Sequence, residues 1–178
     1  PGPVSGALTL DSVATRIVGD QVSAGAGMRV AAAGDVDGDG YADVLVGAPA
    51  RDGAGVDSGS AWLVRGPVTG SVLVSAADWT LAGGWASEGL GGSLAAADVN
   101  GDAKLDLICA NNGTNTLTVL TNNGSGRFSF QATLTVGDRP YGVVVADING
   151  DGKPDLISAN FNDNSLTVLT NNGAGGFG

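Results

Sequence analysis

Three nine-residue stretches place oxygen donors at one fixed spacing: DVDGDGYAD at 35–43, DVNGDAKLD at 98–106 and DINGDGKPD at 147–155. Each carries an acid or amide at positions 1, 3, 5 and 9 and glycine at position 4, with a second glycine at position 6 in the first and third copies. A calcium ion asks for about six to eight oxygen ligands at roughly 2.3–2.6 Å in a flexible shell. Alternate side chains converge on one point only where the intervening backbone curls sharply, which glycine permits at little steric cost. The pattern therefore predicts a Ca²⁺ site in each loop, up to three per chain. The first would use Asp35, Asp37, Asp39 and Asp43 with the Tyr41 carbonyl. The second would use Asp98, Asn100, Asp102 and Asp106 with the Lys104 carbonyl, and the third Asp147, Asn149, Asp151 and Asp155 with the Lys153 carbonyl.

Asp, Asn and Gly also make plain turns, because their side chains mimic backbone and tolerate left-handed conformations. Three copies in one register favour the cation, since a ring of carboxylates without one repels itself. An EF-hand is excluded by position 12, which is Val46, Cys109 or Ser158 where a bidentate glutamate would be needed. Each loop runs directly into DVLVGAP, DLICAN or DLISAN, short apolar runs that read as strands. Strands, not helices, must hold these loops.

The formal net charge is −10, and ten of the eighteen acids lie inside the three loops, so the acidity is mostly cation chemistry. The eight Lys and Arg residues are scattered, which argues against a nucleic-acid partner. The absence of His and the single Cys remove His-based triads, Cys/His nucleophiles and the usual zinc sets. Outside the loops, Asp52, Asp57, Asp78, Glu88, Asp138 and Asp163 stand in no recognisable catalytic setting, so the chain is not expected to be an enzyme. Cys109 sits where the sister strands have Val46 and Ser158, as a buried core residue. No apolar run approaches the roughly 18 residues of a membrane span, so membrane insertion is not expected. The chain opens at Pro1 without Met or a leader, which suggests a processed product or an excised piece.

Self-similarity organises the rest. GPVSG at 2–6 returns as GPVTG at 66–70, TRIVG at 15–19 parallels WTLAG at 79–83, and LTVLTNNG at 117–124 recurs at 166–173. The pattern gives three units, 1–66, 67–124 and 125–178, with a change of period near 94–98. Each unit holds four short strands around its loop: 14–18, 28–33, 43–48 and 60–64; then 79–82, 93–97, 105–110 and 117–121; then 128–136, 141–146, 156–159 and 166–170. Four strands per repeat describe a propeller blade. The expected fold is thus an all-β propeller with about three four-stranded blades in this chain.

These residues resemble FG-GAP repeats, the blades of the integrin alpha-subunit propeller and of many secreted bacterial proteins; the second half resembles the related VCBS-type repeat. The first unit carries the phrase most fully, with Gly47-Ala48-Pro49 behind the loop and Gly25-Ala26-Gly27 where Phe-Gly is usual. Gly89-Leu90-Gly91 and Tyr141-Gly142 take that place later, and Phe177-Gly178 repeats the motif itself. Cys109-Ala110-Asn111 and Ser158-Ala159-Asn160 depart from Gly-Ala-Pro, and Ala103 replaces a loop glycine, which makes the second loop the weakest expected binder.

The resemblance implies structural calcium, a secreted or cell-surface setting in a bacterium, and an adhesion or binding module for protein or carbohydrate ligands. Contact candidates are Trp79, Trp85, Tyr141, Phe161 and the NNG runs at 111–113, 122–124 and 171–173. The alternative is a purely structural or assembly propeller, engineered or excised, or the accessory domain of a secreted enzyme. Three blades are too few for a ring of about four to eight. Either a homo-oligomer closes it, two chains head to tail giving six blades with a strand at 6–10 or 14–18 beside the partner's last blade, or the chain is part of a longer propeller.

Overall fold

The computed structural model describes residues 15–178, so the expected strand at 6–10 and the first copy of the GPVSG phrase lie outside the described residues. Among the described residues, thirteen strands and one 3-10 turn at Val74–Ala76 make up the regular structure, with no α-helix. The all-β expectation holds.

Three antiparallel sheets succeed one another along the chain. The first runs β2 (Arg29–Gly34), β3 (Asp43–Ala48), β4 (Ser60–Val64), β6 (Trp79–Ala82). The second runs β7 (Leu90–Ala97), β8 (Asp106–Asn111), β9 (Thr116–Asn122), β10 (Phe128–Thr135). The third is three-stranded, β11 (Pro140–Ala146), β12 (Asp155–Asn160), β13 (Ser165–Leu169). A separate parallel pair joins β1 (Thr15–Val18) to β5 (Gly70–Leu73).

Among the described residues the expected strands form, but three belong to a different sheet from the one their place in the repeat suggests; β1, expected as the first strand of the first unit, pairs with β5 instead of joining the first sheet. The repeat puts β6 at the start of the second unit; it pairs instead with β4, Leu63 opposite Trp79, as the outer strand of the first sheet. β10 likewise completes the second sheet through β9, Phe128 opposite Asn122, instead of opening the third. For β10 the physical reason is proximity, since a five-residue link lets it fold back antiparallel on β9; β6 instead takes the open edge of β4 after the chain has passed through β5 and the 3-10 turn. Sequence also missed β5, whose four residues GSVL are too short and too Gly/Ser-rich to signal a strand.

Side-chain alternation then assigns the two faces of each sheet. Leu45 and Leu63 of the first sheet meet Leu107 and Leu120 of the second. The other face of the second sheet, with Ile108, Ala110, Leu117 and Val119, meets Val143 and Leu156 of the third. Residues covered on both faces explain why β8 is buried from end to end and reads as a continuous apolar run. The free face of the first sheet, with Val46, Trp62 and Val64, is roofed by Ile17, Val72 and Val74 from the β1/β5 layer and its flanks. Small residues let the sheets approach: a side chain at Gly47 would run into the Gly91 carbonyl, and one at Gly91 into that of Ser60.

Two buried amides lock sheet to sheet. Asn122 Nδ2 donates to the Val36 carbonyl at 2.8 Å, and Asn171 Nδ2 to the Val99 carbonyl at 2.9 Å. Each thus reaches back from one sheet into the metal-type loop of the sheet before. Removing a buried partner exposes the full desolvation cost of the group left behind, about 1–3 kcal/mol. Asn122→Ala and Asn171→Ala should each lower unfolding stability by that amount in urea titrations. Burial also pushes the Cys109 thiol up to about 12. Folded protein at pH 8 should accordingly resist a thiol-specific chromogenic reagent and react fully once denatured.

Candidate functional site

The three loops have the same internal wiring, and position 1 sets it. Asp35 Oδ1 accepts from Gly38 N at 2.7 Å and Asp39 N at 3.1 Å, while its Oδ2 accepts from Gly40 N at 2.9 Å. Asp98 does the same with Gly101 N, Asp102 N and Ala103 N at 2.7, 3.1 and 2.8 Å. Asp147 repeats it with Gly150 N, Asp151 N and Gly152 N at 2.8, 3.2 and 2.9 Å. Position 5 adds its own turn: Asp39 Oδ1, Asp102 Oδ1 and Asp151 Oδ1 accept the N–H of Tyr41, Lys104 and Lys153. Such side-chain turns curl the backbone around a common centre.

That curl needs left-handed backbone at two places. Position 4 is glycine throughout, with φ of 78° at Gly38, 79° at Gly101 and 78° at Gly150. Position 6 is glycine at 91° and 80° in the first and third loops but Ala103 at 64° in the second. Ala103 is therefore forced into the conformation its Cβ disfavours, as the sequence suggests.

In the first loop the structure brings Asp35, Asp37 and Asp39 together, their ligand oxygens all within 4.8 Å of one another. Three like charges held at that spacing, with only oxygen donors, suit a hard divalent cation. The second and third loops have the same curl with Asn100 and Asn149 at position 3, giving two carboxylates and one amide oxygen each.

Position 9 behaves differently from the other three. Asp43, Asp106 and Asp155 are buried, and each uses both carboxylate oxygens on backbone N–H groups. One oxygen takes position 2 of its own loop: Val36 N at 2.9 Å, Val99 N at 3.1 Å, Ile148 N at 3.0 Å. The other takes the end of the third strand or the residues just beyond it: Gly66 N at 2.9 Å, Asn122 N at 2.8 Å, Asn171 N at 2.8 Å. The position-9 acid is thus a brace between loop and sheet.

Charges around the loops complete the picture. Arg65 reaches Asp37 Oδ2 at 2.8 Å and Asp78 Oδ1 at 2.7 Å, holding Asp78 below the ordinary carboxyl range. Lys104 and Lys153 pair with Asp102 and Asp151 at 3.3 and 3.5 Å. Burial pushes Asp43 and Asp106 up, assisted by Asp37 and Asp39 in one case and Asp102 and Asp98 in the other. Asp155 is held down, first by Asn171 N–H and then by Ile148 N–H. Sequence reasoning missed Arg65, which lies far from its loop in the chain and carries no repeat signal.

Of the residues expected to meet a ligand, Asn122 and Asn171 are instead buried in the locks between sheets. Asn111 is buried as well, and Trp79 packs on Phe128 with ring centroids 5.1 Å apart. Burying an amide or a large ring serves packing before recognition. Trp85, Tyr141 and Phe161 remain exposed. A second feature lies at the other end of the strands: a cleft of about 480 Å³ lined among others by Asp57, Asn112, Asn115, Arg139 and Tyr141, drawn from all three sheets.

Residues 26–64, which contain the first loop, match the FG-GAP repeat, and residues 98–158, which contain the other two, match the FG-GAP-like repeat. The chain belongs to the FG-GAP-type repeat proteins. No curated protein matches it. FG-GAP repeats form propeller blades, and the successive antiparallel sheets with their loops at one end have that form.

Two outcomes test the site. Ala103→Gly relieves the left-handed alanine, offset by glycine's greater freedom when unfolded, and should raise stability by about 0.5–1 kcal/mol in calcium-free buffer. In a carboxyl NMR titration without metal, Asp43 and Asp106 should titrate above about 3.9 and Asp155 below it. Asp155 therefore supports folding above the unfolded carboxyl value and loses that support as pH falls, whereas Asp43 and Asp106 oppose folding as pH rises through their folded values.

Proposed function

We propose that this FG-GAP chain is a calcium-stabilised, secreted or cell-surface binding module for protein or carbohydrate ligands, without catalytic activity of its own. The observation that carries the metal part is the triplicate loop with one hydrogen-bond pattern and clustered oxygen donors. Position 1, 3 and 5 side chains would hold each ion, with position 9 and the carbonyls of Tyr41, Lys104 and Lys153 as the remaining donors. Bound calcium would supply a fixed double charge that cancels the repulsion among these acids. Its binding free energy then adds to folding free energy.

No helix among the described residues is long and apolar enough to cross a membrane. An extracellular setting suits such loops, because calcium modules there work at about 10⁻⁴–10⁻³ M. The ligand part rests on the cleft. In antiparallel sheets successive connections alternate between ends, so the links after β3, β8 and β12 lie opposite the metal loops. Those links supply Asp57, Asn112, Asn115 and Asn162 to the cleft, and Arg29 and Arg139 flank the Tyr141 ring at 4.9 and 5.9 Å. An aromatic ring amid amides and carboxylates can stack on a sugar or accept a polar loop of a protein.

At about 1 mM calcium and a Kd on the order of 10⁻⁴ M, each loop would add about 1.4 kcal/mol. The melting midpoint should rise by roughly 10 °C over three loops and fall back with EDTA. An unchanged midpoint with no heat of calcium binding by calorimetry would refute the metal reading. A glycan array and an extracellular-protein panel probed in calcium buffer should give hits that Tyr141→Ala and Asn115→Ala both weaken; hits untouched by either variant would move the ligand site elsewhere.

A further inference from the structure

Each metal-type loop carries a basic side chain on its acids, and the first loop obtains it differently from the other two. In those, position 7 supplies it: Lys104 meets Asp102 at 3.3 Å and Lys153 meets Asp151 at 3.5 Å. Position 7 of the first loop is Tyr41. Its cation comes instead from Arg65, the residue before Gly66, whose N–H braces Asp43. Counting from the same brace, Thr121 and Thr170 stand in that place in the other sheets, before Asn122 and Asn171. The exchange is matched inside the loop. Position 3 is Asp37 where Arg65 is present, and Asn100 or Asn149 where threonine replaces it. An added carboxylate and an added guanidinium enter together.

The pair is fixed in place. Arg65 Nη1 donates to Asp37 Oδ2 at 2.8 Å, while Nη2 donates to Asp78 Oδ1 at 2.7 Å and the Arg65 backbone N–H to Asp78 Oδ2 at 3.1 Å. The Asp37 side chain is only 13% exposed, which separates this contact from a loose surface pair. The hairpin of the second sheet closes over it: a Cβ at Gly126 would lie 3.4 Å from Asp37 Cβ and 3.6 Å from Arg65 Cδ. At the second loop the matching glycine of the third sheet, Gly175, faces Asn100 Cβ and the uncharged side chain of Gln131.

We propose that Arg65 is a built-in counter-cation that sets the calcium affinity of the first loop, holding Asp37 in the free loop and offsetting the third carboxylate. The inference rests on the calcium reading of the loops. The acids at positions 1, 3 and 5 lie within 4.8 Å of one another, so an ion held there shares the Asp37 carboxylate with a like charge. Ligand charge count tunes the affinity of oxygen sites, and three carboxylates without Arg65 would make this the tightest of the three loops. Arginine stays charged across the working pH range, so its opposition to the ion is constant.

Terbium, a hard ion that takes oxygen ligands, is the probe, because Tyr41 belongs to the first loop alone and its ring sensitises the luminescence of an ion bound there. In the full chain, Arg65→Gln and Arg65→Thr should each lower the terbium midpoint by at least about tenfold, the factor expected when one like charge beside the ion is removed. Arg65→Lys, which keeps the charge, should stay within about threefold of the parent. The melting midpoint in EDTA should fall in Arg65→Gln while the rise produced by calcium grows. A purely structural role would lower both melts equally and leave the terbium midpoint where it was. Equal or weaker terbium binding in both neutral variants, or the same tightening in Arg65→Lys, would overturn the role of Arg65. No luminescence and no heat of calcium binding in the parent and in every variant would instead sink the metal reading beneath it.

Discussion

A buried carboxylate at the end of each metal-type loop is the interaction on which the architecture turns. Asp43, Asp106 and Asp155 each sit in the interior with two backbone N–H partners, one from the loop and one from the end of the third strand or just beyond it. A buried charge is tolerated only when its lone pairs are satisfied. That requirement fixes the loop against the sheet before any ion arrives. Placing the same residue in three successive sheets makes the loops rigid copies of one another.

The brace also connects one sheet to the next. Its second N–H partner in the second and third sheets is Asn122 or Asn171, and the side chain of that same asparagine reaches the loop of the preceding sheet. Backbone and amide of a single residue thereby tie two blades and one loop. In the first sheet the corresponding residue is Gly66, which offers the N–H but no amide. This fits its surroundings: the small β1/β5 layer lies on that side, not another sheet with a loop to be reached. Stability in such arrays is a sum of repeats and nearest-neighbour junctions, so loop geometry, junction packing and any cation contribute through the same few residues.

The two ends of the strands divide the labour accordingly. The loop end concentrates acids, most of the curl-forming glycines and the basic partners Arg65, Lys104 and Lys153. The other end carries connections of unequal length, eleven residues after β3 but four after β8 and after β12, with the exposed Trp85 and Phe161 and the polar cleft. A rigid scaffold that carries variable loops at one end is the usual way to place a recognition surface.

Much of this is legible in the sequence, because oxygen donors at alternate positions and a strand-length apolar run after each loop have one local solution. The loops, the strand after each and the strained Ala103 come from spacing and from the left-handed backbone conformations that glycine adopts most readily. Strand ownership does not: whether β6 and β10 close one sheet or open the next depends on which neighbour offers an unpaired edge, a tertiary fact. Nor does the role of the repeated asparagines, whose type and exposed-looking context suit ligand contact equally well until packing encloses them. Local periodicity determines what a segment can be, whereas burial and pairing with residues dozens of positions away decide which of its polar groups face solvent, a cation or another sheet.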